Sequence, residues 1–334
     1  EAVQEAIKKS ADNKEYTKYP LASGLPELRQ LILEDLKLPE QDLHITNGGT
    51  EALYCLMRHI QPKGSEMITS DPSYFVIHKF AKLGGAKCTD IPIYSKNYRF
   101  EIEDIKEAIN SKTKSIFFID PINPLGSTYP ESEKRAVCEV AEDHNLWLID
   151  DITYRDFAPN HVLAADILPE KTITAYSVSK NCGLAGMRVG SLVGPKDFIA
   201  DVRGTMVSDL GINVVGQRAA SAALKTKPEW LPGLLETARR NQEIIKETVD
   251  KIDGAFLPVY PSAASMMIID ISEHNANPQD VQDKLLYEHD IFVRAGNYVS
   301  ARFGENFIRV SFSIPTNEVK RFAEAFPKVM QELT

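Results

Sequence analysis

The chain contains 334 residues, 43% hydrophobic and 25% charged, so it falls in the globular range and is long enough for a large domain plus a smaller one. Lysine and arginine total 38 against 47 acidic residues, a net charge of -9 with no basic stripe, which argues against nucleic-acid binding. No apolar run approaches the roughly 20 residues that cross a bilayer, so we expect a soluble protein without membrane contact.

The four cysteines are widely spaced and form no Cys-x-x-Cys pair. This spacing predicts reduced thiols, no disulfide framework and no zinc or other metal site. The first residues, EAVQEAIKKSADNKEY, are typical of a charged amphipathic helix and lack the apolar segment of a signal peptide. We therefore expect a cytoplasmic protein.

From about Leu43 to Gly194 the sequence alternates β-rich runs with helical stretches. The predicted strand and helix pairs are LHIT with TEALYCLMRHI, EMITS with SYFVIHKFAKLG, CTDIPI with IEDIKEAI, and SIFFID with ESEKRAVCEVAEDH. The strands LWLID, TITAYS and VGSLVG follow. Continuous apolar strands that alternate with helices indicate an α/β fold with a mainly parallel sheet and crossover helices.

After Pro195 the sequence becomes helical, and a long helix that begins near Pro228 leads out of the large domain. The segments AASMMIIDI and DIFVRA are predicted strands, PQDVQDKLLYEH is a predicted helix between them, and a terminal helix follows Pro315. The predicted domains are a large one, residues 17–228, and a smaller α+β one, residues 229–334 together with 1–16.

The block SVSKNCGLAGMRVG follows the strand TITAY directly and carries the strongest chemical signal. Ser177 and Ser179 precede Lys180, a glycine-rich turn follows it, and Arg188 lies near the end of the block. Hydroxyls and a guanidinium bind an anion, while an amine condenses with an aldehyde. Pyridoxal phosphate has both groups. Lys180 alone would be interpreted as an exposed loop lysine, but its flanking residues favour the cofactor.

This block resembles the lysine motif of class I and II, fold-type I aminotransferases such as those for aspartate and histidinol phosphate. Other landmarks of that family follow in order across nearly the whole chain. The resemblance implies a seven-stranded, mainly parallel sheet with helices on both faces, plus the smaller α+β domain. It also implies that Lys180 is the catalytic residue that holds pyridoxal phosphate, with Ser177 and Arg188 on the phosphate.

Three further motifs of this family place residues around the cofactor. In LHITNGGTEALY a glycine turn opens a helix, whose N-terminus attracts phosphate, so Gly49 and Thr50 are assigned to it; the alternative is an ordinary turn with a threonine cap. Tyr74 in DPSYFV would stack on the pyridine ring, or else be a packing aromatic. Asn123 in the turn of FFIDPINPLG would donate to the cofactor's phenolic oxygen and contact the substrate.

In LWLIDDITY a buried strand ends in two acids, at the edge where ligands bind in open α/β sheets. The family uses one carboxylate to keep the pyridine nitrogen protonated. The spacing to Tyr154 favours Asp151 over Asp150, although either acid alone is also a plausible helix cap. The resemblance makes Asp151 and Tyr154 catalytic residues and places the Tyr154 hydroxyl on the phenolic oxygen.

Two motifs near the ends of the chain concern the substrate and a partner subunit. Arg309 in ENFIRVSFS corresponds to the arginine that binds the substrate α-carboxylate, for which a planar guanidinium is well matched. An ion pair with Glu305 or Asp270 is the structural alternative. In KYPLASGLPELR, Tyr19 corresponds to a tyrosine that reaches the partner's cofactor phosphate, with Tyr16 close by. The resemblance therefore implies a homodimer with shared sites.

The chain also departs from the family pattern. Ile122, Leu125 and Ile152 stand where the family often has Asn, Thr and Glu, and Thr50 replaces a lysine that one aspartate-specific subgroup uses for the substrate side chain. No counterpart of the family's glycine-containing N-terminal arm is recognised before Tyr19. Without such an arm, substrate specificity would lose one of its determinants.

The resemblance implies amino-group transfer between an amino acid and a 2-oxo acid, with glutamate and 2-oxoglutarate as the common pair. A carbon–sulfur β-lyase or a decarboxylase of the phosphothreonine type, whose lysine block is similar, stays open. So does an effector-sensing domain of a regulator, although no helix-turn-helix is found. Aspartate, alanine, aromatic residues and histidinol phosphate all remain candidate substrates. Arg294, Arg302 and His289 are either specificity residues or solvated surface.

Overall fold

The computed structural model describes residues 1–205, 210–274 and 276–333. Its helices are α1 (Ala2–Asp12), α2 (Pro26–Leu36), α3 (Gly49–Ile60), α4 (Val76–Gly84), α5 (Ile102–Ala108), α6 (Glu131–Asp143), α7 (Ala164–Ile167), α8 (Lys196–Thr205), α9 (Val214–Lys225), α10 (Lys227–Val249), α11 (Pro278–His289) and α12 (Thr316–Glu332). Its strands are β1 (Asp42–Thr46), β2 (Glu66–Asp71), β3 (Lys87–Pro92), β4 (Thr113–Ile119), β5 (Trp147–Asp151), β6 (Thr172–Ser177), β7 (Gly190–Gly194), β8 (Met266–Asp270), β9 (Arg294–Ala295) and β10 (Phe307–Ser311).

The larger sheet has seven strands in the order β1-β7-β6-β5-β4-β2-β3. The pairs from β3 through β6 are parallel, whereas β7 runs antiparallel to both β6 and β1. The prediction of a mainly parallel seven-stranded sheet is therefore confirmed. Because successive parallel strands need a crossover connection, the helices between them cover the faces of the sheet.

Both faces of the central strands are buried, which explains their continuous apolar sequences. Ile116 and Leu148 belong to the hydrophobic cluster under α5 and α6. Phe117 and Ile149, one position later on the same strands, belong to the cluster that includes Leu53 of α3. Successive side chains of a strand point to opposite faces, so both faces of this sheet need apolar residues. The carboxyl ends of the strands are left as the place where polar groups can meet.

The second sheet is small and antiparallel, in the order β8-β10-β9. Apolar residues of these strands pack with α10, α11 and α12 around Ile269, Ile308 and Phe326. The predicted strand DIFVRA is paired only at Arg294 and Ala295. This sheet and its helices form the smaller α+β part that the sequence predicts, and they hold Arg309 in β10.

The N-terminal helix packs differently from the sequence-based expectation. Val3 and Ile7 of α1 contact a cluster that contains Leu28 of α2 and Ala219 of α9. Arg218 of α9 also forms an ion pair with Glu15. The assignment of residues 1–16 to the smaller domain is corrected accordingly, because the apolar face of α1 is covered by helices that pack on the larger sheet.

Two properties of the described residues bear on membranes and metals. Every helix in this part of the chain is too short or too polar to cross a membrane. Residues 1–205, 210–274 and 276–333 also contain no group of three or more His, Cys, Asp or Glu side chains arranged to hold a metal ion.

Candidate active site

A cavity of about 530 Å³ opens where the carboxyl ends of the large-sheet strands face the small sheet. Ten of the eleven residues that the sequence analysis assigns to the site line this cavity. They are Gly49, Thr50, Tyr74, Asn123, Asp151, Tyr154, Ser177, Lys180, Arg188 and Arg309. They come from segments far apart in sequence, so the fold brings together what the motifs predict separately.

The turn before α3 packs tightly against β7. Gly48 has a φ of 83° and forms the N-cap of α3. A Cβ added to Gly190 would lie 2.5 Å from both the carbonyl carbon of Gly48 and the nitrogen of Gly49. Only a glycine at position 190 allows the two backbones to approach this closely. The helix N-terminus, with its partial positive charge, is thereby held at the wall of the cavity.

Hydroxyls and a guanidinium surround this helix terminus. The Arg188 guanidinium donates to the carbonyl of Asn47 at 3.2 Å, which holds it beside the turn. The buried Ser177 hydroxyl accepts a hydrogen bond from the Ser179 amide at 3.2 Å. The Thr50 and Tyr74 hydroxyls lie 3.2 Å apart. This donor set is suited to a phosphate group.

Asp151 is the last residue of β5, and its carboxylate has no cationic partner among the described residues. Its Oδ1 accepts from the Thr153 amide at 3.1 Å and from the Thr153 hydroxyl at 2.6 Å. Burial raises the pKa of Asp151 to about 6, with a further contribution from neighbouring Asp150. Asp150 lies outside the cavity lining, and its carboxylate accepts from the Ala164 amide instead. A buried acid without a cation is suited to a ligand that supplies one.

The Lys180 side chain is exposed to the cavity, and Lys180 has no ion-pair partner in the described part of the chain. Partial burial, followed by the positive charges of Arg309 and Arg188, lowers the pKa of its ammonium group below the ordinary value. A lowered pKa increases the fraction of neutral amine, which is the nucleophilic form.

A chain of hydrogen bonds joins the two sheets across the cavity. Arg309 Nη1 donates to Asn123 Oδ1 at 2.9 Å, and Asn123 Nδ2 donates to the Tyr154 hydroxyl at 3.3 Å. Burial raises the pKa of Tyr154, so its phenol keeps the proton. The predicted alternative of an ion pair between Arg309 and Glu305 or Asp270 is wrong for the described residues, since none of their ion pairs includes Arg309. Its guanidinium is available to an anionic ligand.

The sequence left the role of Arg294 open, and the structure places it beside Arg309 in the wall of the cavity. The two arginines are paired in register between β9 and β10. The Arg294 guanidinium lies 4.2 Å from the centroid of the Tyr298 ring and 4.7 Å from that of Phe292. Tyr298, which also lines the cavity, was missed because no motif marks it and its position depends on the turn after β9.

Tyr19 is the predicted site residue that does not line the cavity. Its side chain is exposed, as is that of Tyr16. An exposed tyrosine outside the cavity cannot contact a ligand there within one subunit. Its predicted role depends on a second subunit.

The site residues fit pyridoxal phosphate on three observations. The glycine turn and its hydroxyl donors form a cradle for phosphate, Lys180 offers an amine at the same cavity, and Asp151 offers a carboxylate that lacks a cation. These groups match the phosphate, the aldehyde and the pyridine nitrogen of the cofactor.

Comparisons with known proteins agree with this fit. The family model described as "Aminotransferase class I and II" matches residues 1–326. Among curated relatives, arginine–pyruvate transaminase of Pseudomonas aeruginosa is 28% identical, over 84% of this chain and 74% of its own length. Aspartate aminotransferase of Pyrococcus horikoshii is 26% identical, over 93% and 82% respectively.

Solved structures agree with the fold. A mutant aspartate aminotransferase of Thermus thermophilus has a TM-score of 0.88 at 24% identity and covers 98% of this chain and 92% of its own. Given the match to nearly the whole chain, this protein belongs to the class I and II aminotransferases and is a pyridoxal-phosphate-dependent transaminase of fold type I.

Proposed function

We propose that this enzyme transfers the amino group between a second amino acid and the glutamate/2-oxoglutarate pair, with Lys180 as the residue that binds the cofactor aldehyde. The observation that carries this proposal is the convergence of Lys180, Asp151 and Arg309 on one cavity. The Lys180 amine matches the cofactor aldehyde, and the uncompensated Asp151 carboxylate matches the pyridine nitrogen. The uncompensated Arg309 guanidinium matches the substrate carboxylate.

Pyridoxal phosphate supplies an electron sink that stabilises negative charge at the substrate α-carbon. Asp151 would keep the pyridine nitrogen protonated, which maintains that capacity. The Tyr154 phenol and the Asn123 amide would bind the phenolic oxygen, while Tyr74 would cover one face of the ring.

Phosphate binding is assigned to one end of the cavity. Gly49 and Thr50 would offer the N-terminus of α3, and Ser177 and Arg188 would add a hydroxyl and a positive charge. The tight packing of Gly190 on this turn supports the assignment, because a rigid cradle loses little freedom on binding.

Lys180 would then move a proton at the substrate α-carbon. Its amine faces the cavity and would be free to accept that proton there. The lowered pKa caused by partial burial, Arg309 and Arg188 favours the neutral form that accepts a proton. The resulting ammonium group would hold the proton and return it to the bound ligand.

Arg309 would bind the α-carboxylate, and its hydrogen bond to Asn123 fixes the orientation of the guanidinium. Arg294 provides a second positive charge across the strand pair, with no acidic partner in the described part of the chain. Two uncompensated guanidinium groups favour a substrate with more than one negative charge, and 2-oxoglutarate and glutamate meet this condition.

A homodimer is part of the proposal. Exposed Tyr19 would reach the cofactor phosphate of the partner subunit, and exposed Leu21 and Leu210 would be covered by that subunit. Residues 17–228 and 229–334 are the proposed domains, with residues 1–16 on the larger one. The cytoplasm is the proposed compartment, because the widely spaced cysteines favour reduced thiols.

The test is to incubate the cofactor-loaded enzyme with single amino acids and identify the products. Glutamate should give 2-oxoglutarate and leave the amino group on the cofactor, and a second amino acid should do the same with its own 2-oxo acid. Release of ammonia or carbon dioxide instead would favour a lyase or a decarboxylase. Failure of glutamate alone would overturn the proposed pair.

A further inference from the structure

A balanced cluster of two acids and two cations lies behind the cavity and outside its lining. Lys227 Nζ lies 2.7 Å from Asp35 Oδ1 and 2.7 Å from Asp156 Oδ1. Arg155 forms an ion pair with the same Asp35, and the Tyr176 hydroxyl donates to it at 3.3 Å. The side chains are largely buried, so their mutual charges are weakly screened.

Asp156 connects the two segments that carry the proposed catalytic residues. It lies two residues after Tyr154, within the 3-10 helix Arg155–Phe157. Its second carboxylate oxygen accepts a hydrogen bond from the side-chain amide of Asn181, which is the residue after Lys180. The side-chain oxygen of Asn181, Oδ1, in turn accepts a hydrogen bond from the backbone amide of Cys182 at 2.9 Å, so both polar atoms of this side chain are held.

Lys227 extends this connection to the small sheet, because it is the first residue of α10. Farther along the same helix, Asn241 donates to the carbonyls of Phe312 at 2.9 Å and Ile314 at 2.8 Å. These carbonyls follow the end of β10, the strand that carries Arg309. A single helix therefore contacts the Asp156 cluster at its first residue and, through Asn241, the segment that directly follows the Arg309 strand.

We propose that Asp156 and Asn181 are positioning residues. Together with Lys227, they hold the Lys180 segment and the Tyr154 segment in fixed positions relative to α10. This helix supports the Arg309 strand. The proposed chemistry requires an amine, a phenol and a guanidinium from three segments at one ligand. The hydrogen bond to Asn181 sets the segment next to Lys180, and the ion pair to Lys227 sets the angle of α10. The inference rests on the proposed role of Lys180.

The test uses the cofactor-loaded enzyme and three single variants. Asn181→Ala removes both side-chain contacts of Asn181, the donor to Asp156 and the acceptor for the Cys182 amide, and leaves the ion pair of Asp156 with Lys227 in place. Asp156→Asn removes the charge that faces Lys227. Asp42→Asn is the matched control, because Asp42 also joins two cations, Arg29 and Arg203, at partly buried positions outside the cavity.

Three quantities are measured for each variant. They are the stability, the kcat for amino-group transfer and the pH titration of the absorption band of the lysine-linked cofactor. We expect Asn181→Ala to lower kcat by about tenfold, since small misplacements of reacting groups are costly. The apparent pKa of the linked nitrogen should rise by about half a unit or more as Lys180 moves away from Arg309 and Arg188. Asp42→Asn should lower stability without changing either quantity.

A purely structural role would give a different pattern. Asn181→Ala would then resemble Asp42→Asn, with reduced stability and an unchanged titration and kcat, and this result would overturn the inference. If Asp156→Asn does not fold, Asn181→Ala still decides the question. A wild-type protein that forms no lysine-linked cofactor at Lys180 would defeat the proposed function instead, before any variant is compared.

Discussion

Replacing Asp151 by asparagine should stabilise the cofactor-free protein at neutral pH while it removes activity. The pKa of Asp151 is raised from the ordinary 3.8 to about 6, mainly by burial. Between these two values the unfolded chain has lost the proton and the folded chain still holds it. The unfolded state then binds fewer protons, so the free energy of unfolding falls as pH rises.

The magnitude follows from the two pKa values. Above about pH 6 the full penalty is present, and the difference between 3.8 and about 6 corresponds to about 3 kcal/mol. Asparagine has nearly the same shape and keeps an oxygen that can accept both hydrogen bonds from Thr153. It does not ionise in this range, so it avoids the penalty.

The assay is denaturant unfolding of the cofactor-free parent and Asp151→Asn at several pH values. The stability of the variant relative to the parent should increase by about 2 kcal/mol from about pH 4.5 to about pH 7.5, the part of the change that falls in this window. Replacing Asp143, an exposed acid at the end of α6, by asparagine is the control and should give a flat difference. A flat or decreasing difference for Asp151→Asn would refute the burial argument.

Three further predictions concern the ligand contacts. Arg309→Lys should lower kcat/KM by roughly tenfold to a hundredfold, mainly through KM, because an ammonium cannot form the bidentate contact; an unchanged KM would contradict this. Gly190→Ala should weaken cofactor binding by about tenfold in a titration, because the added Cβ would lie 2.5 Å from backbone atoms of Gly48 and Gly49. Gly186→Ala is the control and should leave cofactor binding unchanged, because no atom lies within 4 Å of its added Cβ. Tyr19→Phe should weaken cofactor binding by roughly threefold to tenfold in the dimer, and Tyr16→Phe should leave it unchanged; the opposite order would exchange their roles.

Much of the fold could be predicted because its central strands are buried on both faces. The runs around Phe117 and Ile149 have no polar alternation, and this pattern is specific to covered, mainly parallel sheets. The antiparallel direction of β7 could not be predicted. The glycine-rich segment after Lys180 does not indicate whether the chain turns back directly or crosses to the other end of the sheet before β7 begins. The packing of α1 was predicted wrongly, since an amphipathic helix does not indicate which apolar surface will cover it.

The site followed from motifs only where the chemistry is local. Lys180 and Arg188 lie in one block, and Asp151 and Tyr154 lie in another, so the resemblance of these short motifs to the family indicated them. Tyr298 and the pairing of Arg294 with Arg309 depend on the register of β9 and β10, which the sequence does not display. The Asp156 cluster was missed for the same reason, because its members are joined only by tertiary contacts.

The most direct test of the central claim is to identify the lysine that binds the cofactor. The enzyme is loaded with pyridoxal phosphate, the carbon–nitrogen linkage is reduced with borohydride, and the modified peptide is sequenced by mass spectrometry. We expect the added mass on Lys180, and no labelling of this segment in Lys180→Ala. A modified lysine elsewhere, or no stable modification in the wild-type enzyme, would contradict the account.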